Sequence, residues 1–241
     1  YSTVARDFDL LSLHKDKRWK PLLENIKQNK IKADKKWQIK CSNEFENINT
    51  NNQTSISSYN LNVNIDVKEQ KVNVNGYVNI DFNNTDSAEL VLWGKTDIKK
   101  SSRNTQALAY CCDTVSKSPI IYIPDGRKLT IKSNEKGKQN IYFDYVCDMK
   151  DMYGWGRSFY EEWIEIGYYT AWYPVIDNKT DFSAKLNITI DKPYKISGSG
   201  IISQKGDSWE MNQNWEGVFD IVIIASKDLK SEKLEVGNTT I

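Results

Sequence analysis

Residues 161–190 carry the clearest structural signal in the chain and read EEWIEIGYYTAWYPVIDNKTDFSAKLNITI. In the second half of this segment, apolar residues alternate with polar ones from Phe182 to Ile190. Such alternation is typical of a β-strand with one buried face, because successive side chains of a strand point to opposite sides. The first half places aromatic residues and Pro174 directly before this strand, which is unusual for a surface loop. The segment therefore predicts an aromatic connection that leads into a half-buried strand.

The sequence from residue 59 onward predicts further strands and no helix. Two alternating segments, 59–67 and 72–82, flank a polar turn and predict an antiparallel hairpin. The side chains of this hairpin predicted to face the core are Leu61, Val63, Ile65, Val74, Val78 and Ile80. Further strands are predicted at 88–93, 120–123, 127–132, 140–147, 183–191, 194–197, 200–203, 208–212 and 218–225. Many short strands without interleaved helices indicate an all-β fold, a β-sandwich or saddle-shaped arrangement of antiparallel and mixed sheets.

The N-terminal part of the chain has a different pattern. We expect residues 1–50 to form a short helical arm with a linker and residues 51–241 to form the β-domain. Pro21 suits the first turn of a helix through Leu22, Leu23 and Ile26. The lysines of the charge run that follows are Lys27, Lys30, Lys32, Lys35 and Lys36. We interpret this run as a solvated helix end and linker, and a contact with anionic lipid in a juxtamembrane position is the alternative.

Composition excludes several classes of partner. The chain has 33 Lys and Arg against 32 Asp and Glu, so its formal charge of +1 gives no argument for nucleic acid. No apolar run approaches the length that crosses a bilayer, so no transmembrane segment is predicted in this chain. The eight tryptophans are interpreted as core residues, and an exposed sugar- or peptide-binding row of Trp155, Trp163 and Trp172 is the alternative. Because the chain begins at Tyr1 without a signal pattern, we expect a processed or excised product.

The residues that bind metals are sparse in this sequence. The only histidine is His14, and the cysteines Cys41, Cys111, Cys112 and Cys147 lack the Cys-x-x-Cys spacing of zinc sites. We therefore predict no cofactor for this chain. The cysteines are interpreted as buried thiols, with a disulfide from Cys147 to Cys111 or Cys112 as the alternative.

Other catalytic patterns are weak. The carboxylates of Glu161, Glu162 and Glu165 could reach the spacing of a glycosidase pair, but solvated or ion-paired carboxylates are the favoured interpretation. The stretch 153–157 is glycine-rich and aromatic, and we interpret it as a loop that lines a cleft. A Ser-His-Asp triad would depend on His14, in a peripheral segment, and is not favoured.

The order of the predicted strands resembles the N-terminal β-domain of the aminopeptidase N family of zinc metallopeptidases. The resemblance covers about residues 55–228 and rests on the opening hairpin 59–82, on Leu90–Trp93, and on the aromatic-proline-aspartate order of Trp172 to Asp177 before a strand. It implies a noncatalytic domain that supports a catalytic metallopeptidase domain and forms one wall of its substrate cleft. The implied partners are that catalytic domain, expected in the same polypeptide and holding the zinc, and a peptide substrate.

Two departures from the family limit what this chain does alone. The zinc-binding motif H-E-x-x-H is absent, so we do not expect this chain to be an enzyme by itself. The turn Asp177-Asn178-Lys179 replaces the acidic-proline pair that is usual there. The compartment stays open, and an extracytoplasmic or membrane-associated location would come only through the parent protein.

The resemblance also implies a substrate-binding residue. In the family, a Glu or Gln nine positions before the proline binds the free α-amino group of the substrate, and counting back from Pro174 gives Glu165. We expect Tyr160 and Trp163 to lie beside it. An ordinary strand-end glutamate is the alternative reading of Glu165. A stand-alone β-sandwich module that binds peptide or carbohydrate is the alternative function.

Overall fold

The computed structural model describes residues 13–36, 54–103, 106–107, 109–112, 123, 125–133, 135–150, 152–154, 157–176, 181–214, 220–230, 235–236 and 239–240. Within these residues one α-helix, α1, spans Trp19–Lys36. The strands are β1 Ser55–Asp66, β2 Lys71–Asp81, β3 Ser87–Trp93, β4 Thr96–Arg103, β5 Gln106–Ala107, β6 Ala109–Cys112, β7 Gly126–Lys132, β8 Lys138–Asp148, β9 Tyr153–Gly154, β10 Arg157–Phe159, β11 Ile164–Ile166, β12 Ser183–Ile190, β13 Lys195–Gly198, β14 Ile201–Lys205, β15 Ser208–Gln213, β16 Ile223–Ser226, β17 Glu235–Val236 and β18 Thr239–Thr240. A 3-10 turn spans Tyr168–Thr170.

The strands form one large sheet and smaller ones. The large sheet has eight strands in the order β14-β15-β12-β1-β2-β8-β4-β5, and β1 and β12 are parallel in it. A five-stranded sheet has the order β13-β16-β11-β10-β9, and a three-stranded sheet has the order β3-β7-β6. Strands β17 and β18 pair with each other. This mixture of antiparallel and mixed sheets with one helix confirms the predicted all-β fold class.

The hairpin of β1 and β2 has the predicted register. Val63 lies opposite Val74, and Leu61 lies opposite Gly76. The side chains predicted to face the core are all buried, namely those of Leu61, Val63, Ile65, Val74, Val78 and Ile80. At Gly76 the backbone has φ of +145°, and a Cβ atom there would lie 2.2 Å from the carbonyl oxygen of Asn60. Only glycine fits this close approach of the two strands.

A single hydrophobic core joins the eight-, five- and three-stranded sheets, and the aromatic segment before β12 lies inside it. The side chains of Trp172 and Tyr173 are almost completely buried. The indole Nε1 of Trp172 donates a hydrogen bond of 3.1 Å to the carbonyl oxygen of Ile221, so this large side chain has its polar atom satisfied. These two aromatic residues are therefore core residues.

The same segment connects two of the sheets. The Tyr59 hydroxyl on β1 donates to the carbonyl oxygen of Pro174 at 2.8 Å. Val91 on β3 and Val175 exchange two backbone hydrogen bonds of 2.7 and 2.9 Å. The aromatic-proline segment thus passes between the large sheet and the three-stranded sheet, which explains why apolar residues occupy a connection.

The helix differs from the prediction at its C-terminal end. Helix α1 continues through Lys36, whereas the lysine run was expected to end the helix and begin a linker. Lysine, glutamine and alanine make up most of residues 27–36 and are good helix formers, so the charge run does not end the helix. Residues 1–12 and 37–53, which include the rest of the predicted arm and Cys41, lie outside the described residues, and the expected domain boundaries remain a prediction.

Strand positions near the five-stranded sheet also differ. The stretch 153–157, expected to be a loop, contributes β9 and the start of β10. Strand β11 was not predicted. Of the strand predicted at 218–225, residues 218 and 219 lie outside the described residues, and β16 begins at Ile223. The backbone groups of residues 220–222 bond to side chains of other segments instead. Of the strand predicted at 120–123, only Ile123 is described.

Candidate functional site

The predicted site residues lie on the hairpin of β10 and β11. Its turn is closed by two backbone hydrogen bonds, from Tyr160 N to Trp163 O at 2.9 Å and from Trp163 N to Tyr160 O at 3.2 Å. Further along the hairpin, Phe159 pairs with Ile164, and Ser158 pairs with Glu165. The two residues of the apolar pair are buried and anchor the hairpin to the core.

The alternation of side chains along this hairpin brings the three predicted residues together. Because Phe159 and Ile164 face the core, Tyr160, Trp163 and Glu165 share the opposite face. The indole Nε1 of Trp163 lies 3.4 Å from Oε2 of Glu165. The side chains of Tyr160 and Trp163 are 51% and 40% exposed, whereas Glu165 is half-buried. The arrangement is a partly sheltered carboxylate beside two accessible aromatic rings.

The turn of this hairpin is tied to the neighbouring strands. Glu161 forms an ion pair of 2.6 Å with Lys227, which follows β16, and the lysine keeps the pKa of this carboxyl below its usual value. The Tyr194 hydroxyl, ahead of β13, donates a 2.6 Å hydrogen bond to the carbonyl oxygen of Glu161. The ammonium group of Lys227 also lies 5.3 Å from the centre of the Tyr194 ring. These contacts reduce the freedom of the turn that carries Tyr160 and Trp163.

A carboxylate outside the predicted site holds the segment that follows Glu165. Oδ1 of Asp220 accepts hydrogen bonds from the backbone N–H of Tyr168 at 2.7 Å and from the hydroxyl of Tyr173 at 3.0 Å. Burial raises the pKa of Asp220 above its ordinary value of 3.8, and these two hydrogen bonds partly counteract that rise. Asp220 therefore connects the start of the β16 segment to the 3-10 turn and to the aromatic core.

Sequence reasoning missed both of these supports. Asp220 is a single acidic residue directly before the apolar run of residues 221–225, and such a residue is a candidate for a buried hydrogen-bond acceptor. No local signal pairs Glu161 with Lys227, since they are 66 residues apart.

The structure rules out the proposed tryptophan row. Trp172 is completely buried, so it cannot form an exposed binding surface with Trp163. Trp155 lies outside the described residues. The carboxylates of the 161–165 stretch were expected to be solvated or ion-paired. Glu161 agrees with this expectation, because it forms an ion pair with Lys227.

The described part of the chain holds no cluster of three or more His, Cys, Asp or Glu side chains that could bind a metal ion. His14 stacks on Trp19, with ring centroids 4.9 Å apart.

Cys147 is a buried free thiol, so the disulfide alternative is wrong for this residue. Burial raises the pKa of Cys147 to about 12, which keeps the thiol protonated and unreactive at neutral pH.

In the described ranges no helix is both long and apolar enough to cross a bilayer.

Solved structures of zinc metallopeptidases share this fold. Yeast LTA4 hydrolase in complex with bestatin has a TM-score of 0.54 and 13% identity over 83% of this chain and 33% of that chain. The native leukotriene A4 hydrolase from Saccharomyces cerevisiae has a TM-score of 0.52 and 13% identity over 86% of this chain and 34% of that chain. The M1 zinc metallopeptidase from Deinococcus radiodurans has a TM-score of 0.51 and 10% identity over 82% of this chain and 48% of that chain.

The likeness shows a shared fold. The chain spans between a third and a half of the length of these structures, so it has the fold of one part of an M1 zinc metallopeptidase. No protein-family model and no curated sequence matches the chain. At these identities the comparison says nothing of the role of individual residues.

Proposed function

We propose that this chain is the noncatalytic N-terminal domain of an aminopeptidase-N-like metallopeptidase. It supports a catalytic domain of the same polypeptide, which holds the zinc, and forms one wall of the substrate cleft. The observation that carries the proposal is the shared face of Glu165, Tyr160 and Trp163 on a hairpin anchored in this fold. The fold shared with part of the M1 metallopeptidases supports the same assignment.

In this proposal Glu165 binds the α-ammonium group of a peptide. A half-buried carboxylate is less screened by water than an exposed one, so a charge-assisted hydrogen bond to an ammonium group is favourable there. The contact from Trp163 reaches one carboxylate oxygen at 3.4 Å, and a carboxylate has further lone pairs that can accept other hydrogen bonds. Such a residue favours substrates with a free amino terminus.

Tyr160 and Trp163 supply apolar surface next to this carboxylate. Their rings are the large exposed aromatic groups of the hairpin, and the tether through Glu161 holds them in place. A ring beside an ammonium group adds a cation–π attraction, and its face packs against the first side chain of the peptide. The proposed site therefore binds the amino-terminal residue of a peptide.

The test uses the longest natural polypeptide that contains this chain. We expect Glu165→Ala to raise KM for aminoacyl substrates roughly tenfold or more, because a hydrogen bond to a charged group contributes about 1.5–3 kcal/mol. Glu165→Gln should give an intermediate KM. The preference for a free over an acetylated amino terminus should fall in both variants, whereas a purely structural role would leave it unchanged.

The matched control is Glu162→Ala, since Glu162 is an exposed glutamate of the same turn. It should leave KM within about twofold, because exposed surface substitutions are usually mild. Equal KM values for the Glu165→Ala variant and the native enzyme would remove Glu165 from the site. A parent reading frame without H-E-x-x-H would overturn the proposed function as a whole.

A further inference from the structure

Helix α1 has an apolar face that the domain core does not use. Trp19, Leu22, Leu23 and Ile26 recur at helical spacing and so share one side of the helix. Trp19 is buried and stacks on His14, Leu23 and Ile26 are half-buried, and Leu22 is 48% exposed. None of these side chains belongs to the hydrophobic core cluster of the described residues. Leu22 and the uncovered parts of Leu23 and Ile26 lie in water, which is unfavourable, so this part of the face suits an apolar environment outside the domain.

The flank of this apolar face carries exposed lysines. Lys20 and Lys27 lie about 90–110° around the helix from the centre of the apolar face, and Gln28 lies on the opposite side. Over residues 13–36 the sequence has nine Lys and Arg against three Asp and Glu, a net charge of +6. The chain as a whole has a net charge of +1, so the remaining residues together have a net charge of −5. The positive charge is concentrated in the helical arm.

Among residues 13–29, whose side chains the structure describes, the two acidic side chains have local partners. Asp16 pairs with Arg18 at 2.7 Å, and Glu24 accepts a hydrogen bond from Gln28 at 2.8 Å. The backbone N–H of Arg18 also donates to Asp16, which helps to start the helix. The lysines of α1 therefore outnumber its acidic partners, and the helix attracts an anionic surface.

We infer that α1 is an interfacial helix that binds an anionic lipid surface. A stripe of leucine and isoleucine flanked by lysines, on a helix of low overall hydrophobicity, is typical of helices that lie in the plane of a membrane interface. Its lysines contact the lipid headgroups and its leucine and isoleucine side chains enter the acyl boundary. The domain beyond the helix has the same sign of charge as the lipid, so the helix alone makes the contact and the β-domain stays away from the surface.

The experiment measures binding of the full chain to vesicles of phosphatidylcholine with and without phosphatidylglycerol by co-sedimentation. We expect binding only to the vesicles that contain phosphatidylglycerol, and we expect it to weaken as salt is added, because salt screens the attraction. Lys20→Glu combined with Lys27→Glu should lower the partition coefficient at least tenfold. Leu22→Ala combined with Ile26→Ala should lower it to a similar degree without changing the charge.

Matched controls separate the helix from the rest of the surface. Lys99→Glu combined with Lys136→Glu changes the net charge equally at exposed positions of the β-domain, and Ile201→Ala removes a 71% exposed apolar side chain there. Both controls should retain binding within twofold. The melting temperature of each variant should match that of the native chain, since no altered residue lies in the core.

Three outcomes would overturn the inference. Equal binding to pure phosphatidylcholine would show that charge does not select the surface. Equal loss of binding in the Lys99 and Lys136 control would assign the effect to net charge rather than to α1. Absence of vesicle binding, with self-association that Leu22→Ala and Ile26→Ala abolish, would assign the apolar face to a second copy of the chain.

Discussion

Asp220 shows how one side chain can support a site from a distance. Its carboxylate accepts hydrogen bonds from Tyr168 N and from the Tyr173 hydroxyl, and the Tyr173 oxygen in turn accepts one from Ile221 N at 3.2 Å. The 3-10 turn that follows Glu165 is thereby joined to the strand beside it. Losing the acceptor would leave two donors unsatisfied in a largely buried place.

We expect Asp220→Ala to lower the free energy of unfolding by about 1–3 kcal/mol, the usual cost of leaving such donors unpaired. Asp220→Asn keeps an acceptor oxygen and should cost less. Chemical denaturation of both variants measures the difference. If Asp220→Ala and Asp220→Asn were equally stable, the hydrogen bonds would not be the source of the support.

The raised pKa of Asp220 also makes the stability of the fold depend on pH, and the direction of this dependence can be worked out. Burial raises the pKa of Asp220 in the folded state above its value in the unfolded chain, so the folded state binds the proton more tightly. The resulting stability is fully present below the ordinary pKa of 3.8 and is lost as the pH rises through the raised pKa. We expect the melting temperature of the native chain to fall across this window relative to that of Asp220→Asn. A constant difference between the two curves would contradict this.

At the scale of the element, the β1–β2 hairpin depends on register and on one glycine. A slip of one residue would turn every buried side chain of the hairpin to solvent. Gly76 lets the backbones of the two strands come close where Leu61 lies opposite it. For both features we can predict how much a substitution lowers the free energy of unfolding.

Val63→Asp tests the register. Val63 is 1% exposed and faces Val74 in the core, so the substitution would bury an unpaired charge. We expect a loss of about 4 kcal/mol or more, at the upper end of single substitutions. Asn60→Asp, which adds the same charge at an exposed position of the same strand, should change stability by less than about 0.5 kcal/mol. Equal melting temperatures of the two variants would argue against the register.

Gly76→Ala tests the close approach of the strands. The added methyl group would meet the Asn60 carbonyl oxygen, a backbone atom that cannot move aside without shifting β1. We expect a loss of about 3 kcal/mol, measured by thermal denaturation. Gly206→Ala is the control, because Gly206 also has positive φ but no atom within 4 Å of the added Cβ, so only the backbone strain of about 1 kcal/mol remains. Similar costs for both variants would show that strain, not contact, makes Gly76 necessary.

At the scale of the whole molecule, one hydrophobic core holds three sheets together, while the predicted substrate-binding residues lie on a face turned away from it. The proposed site of this chain is therefore a surface that the hairpin of β10 and β11 presents. The residues of the chain also lead to a prediction about its catalytic activity in isolation.

We expect the purified chain to have no aminopeptidase activity and no stoichiometric zinc after mild chelation. The reason is the single histidine, His14, since zinc sites of metallopeptidases need clustered His and carboxylate ligands. Elemental analysis together with hydrolysis of aminoacyl substrates provides the measurement. One zinc ion per chain accompanied by substrate cleavage would refute the prediction.

Elements with a local signal could be predicted from the order of the amino acids. Alternation with a period of two residues marks β1, β2 and β12, because each side chain's face depends only on its position along the strand. The strand order resembled that of a metallopeptidase domain, and the fold comparison agrees with it. Counting back from Pro174 gave Glu165 as a candidate, but the hairpin of β10 and β11 was not predicted, and the shared face of Tyr160, Trp163 and Glu165 is seen only in the structure.

Contacts between distant segments could not be predicted from the sequence. The parallel pairing of β1 with β12 joins residues that are 125 apart, and the bonds of Asp220 to Tyr168 and Tyr173 join segments that are 52 and 47 apart. Trp172 has the same residue type as the exposed Trp163, yet it is buried because two sheets close over its segment. Burial and partner choice depend on what the rest of the chain packs against a residue, and no local pattern contains that information.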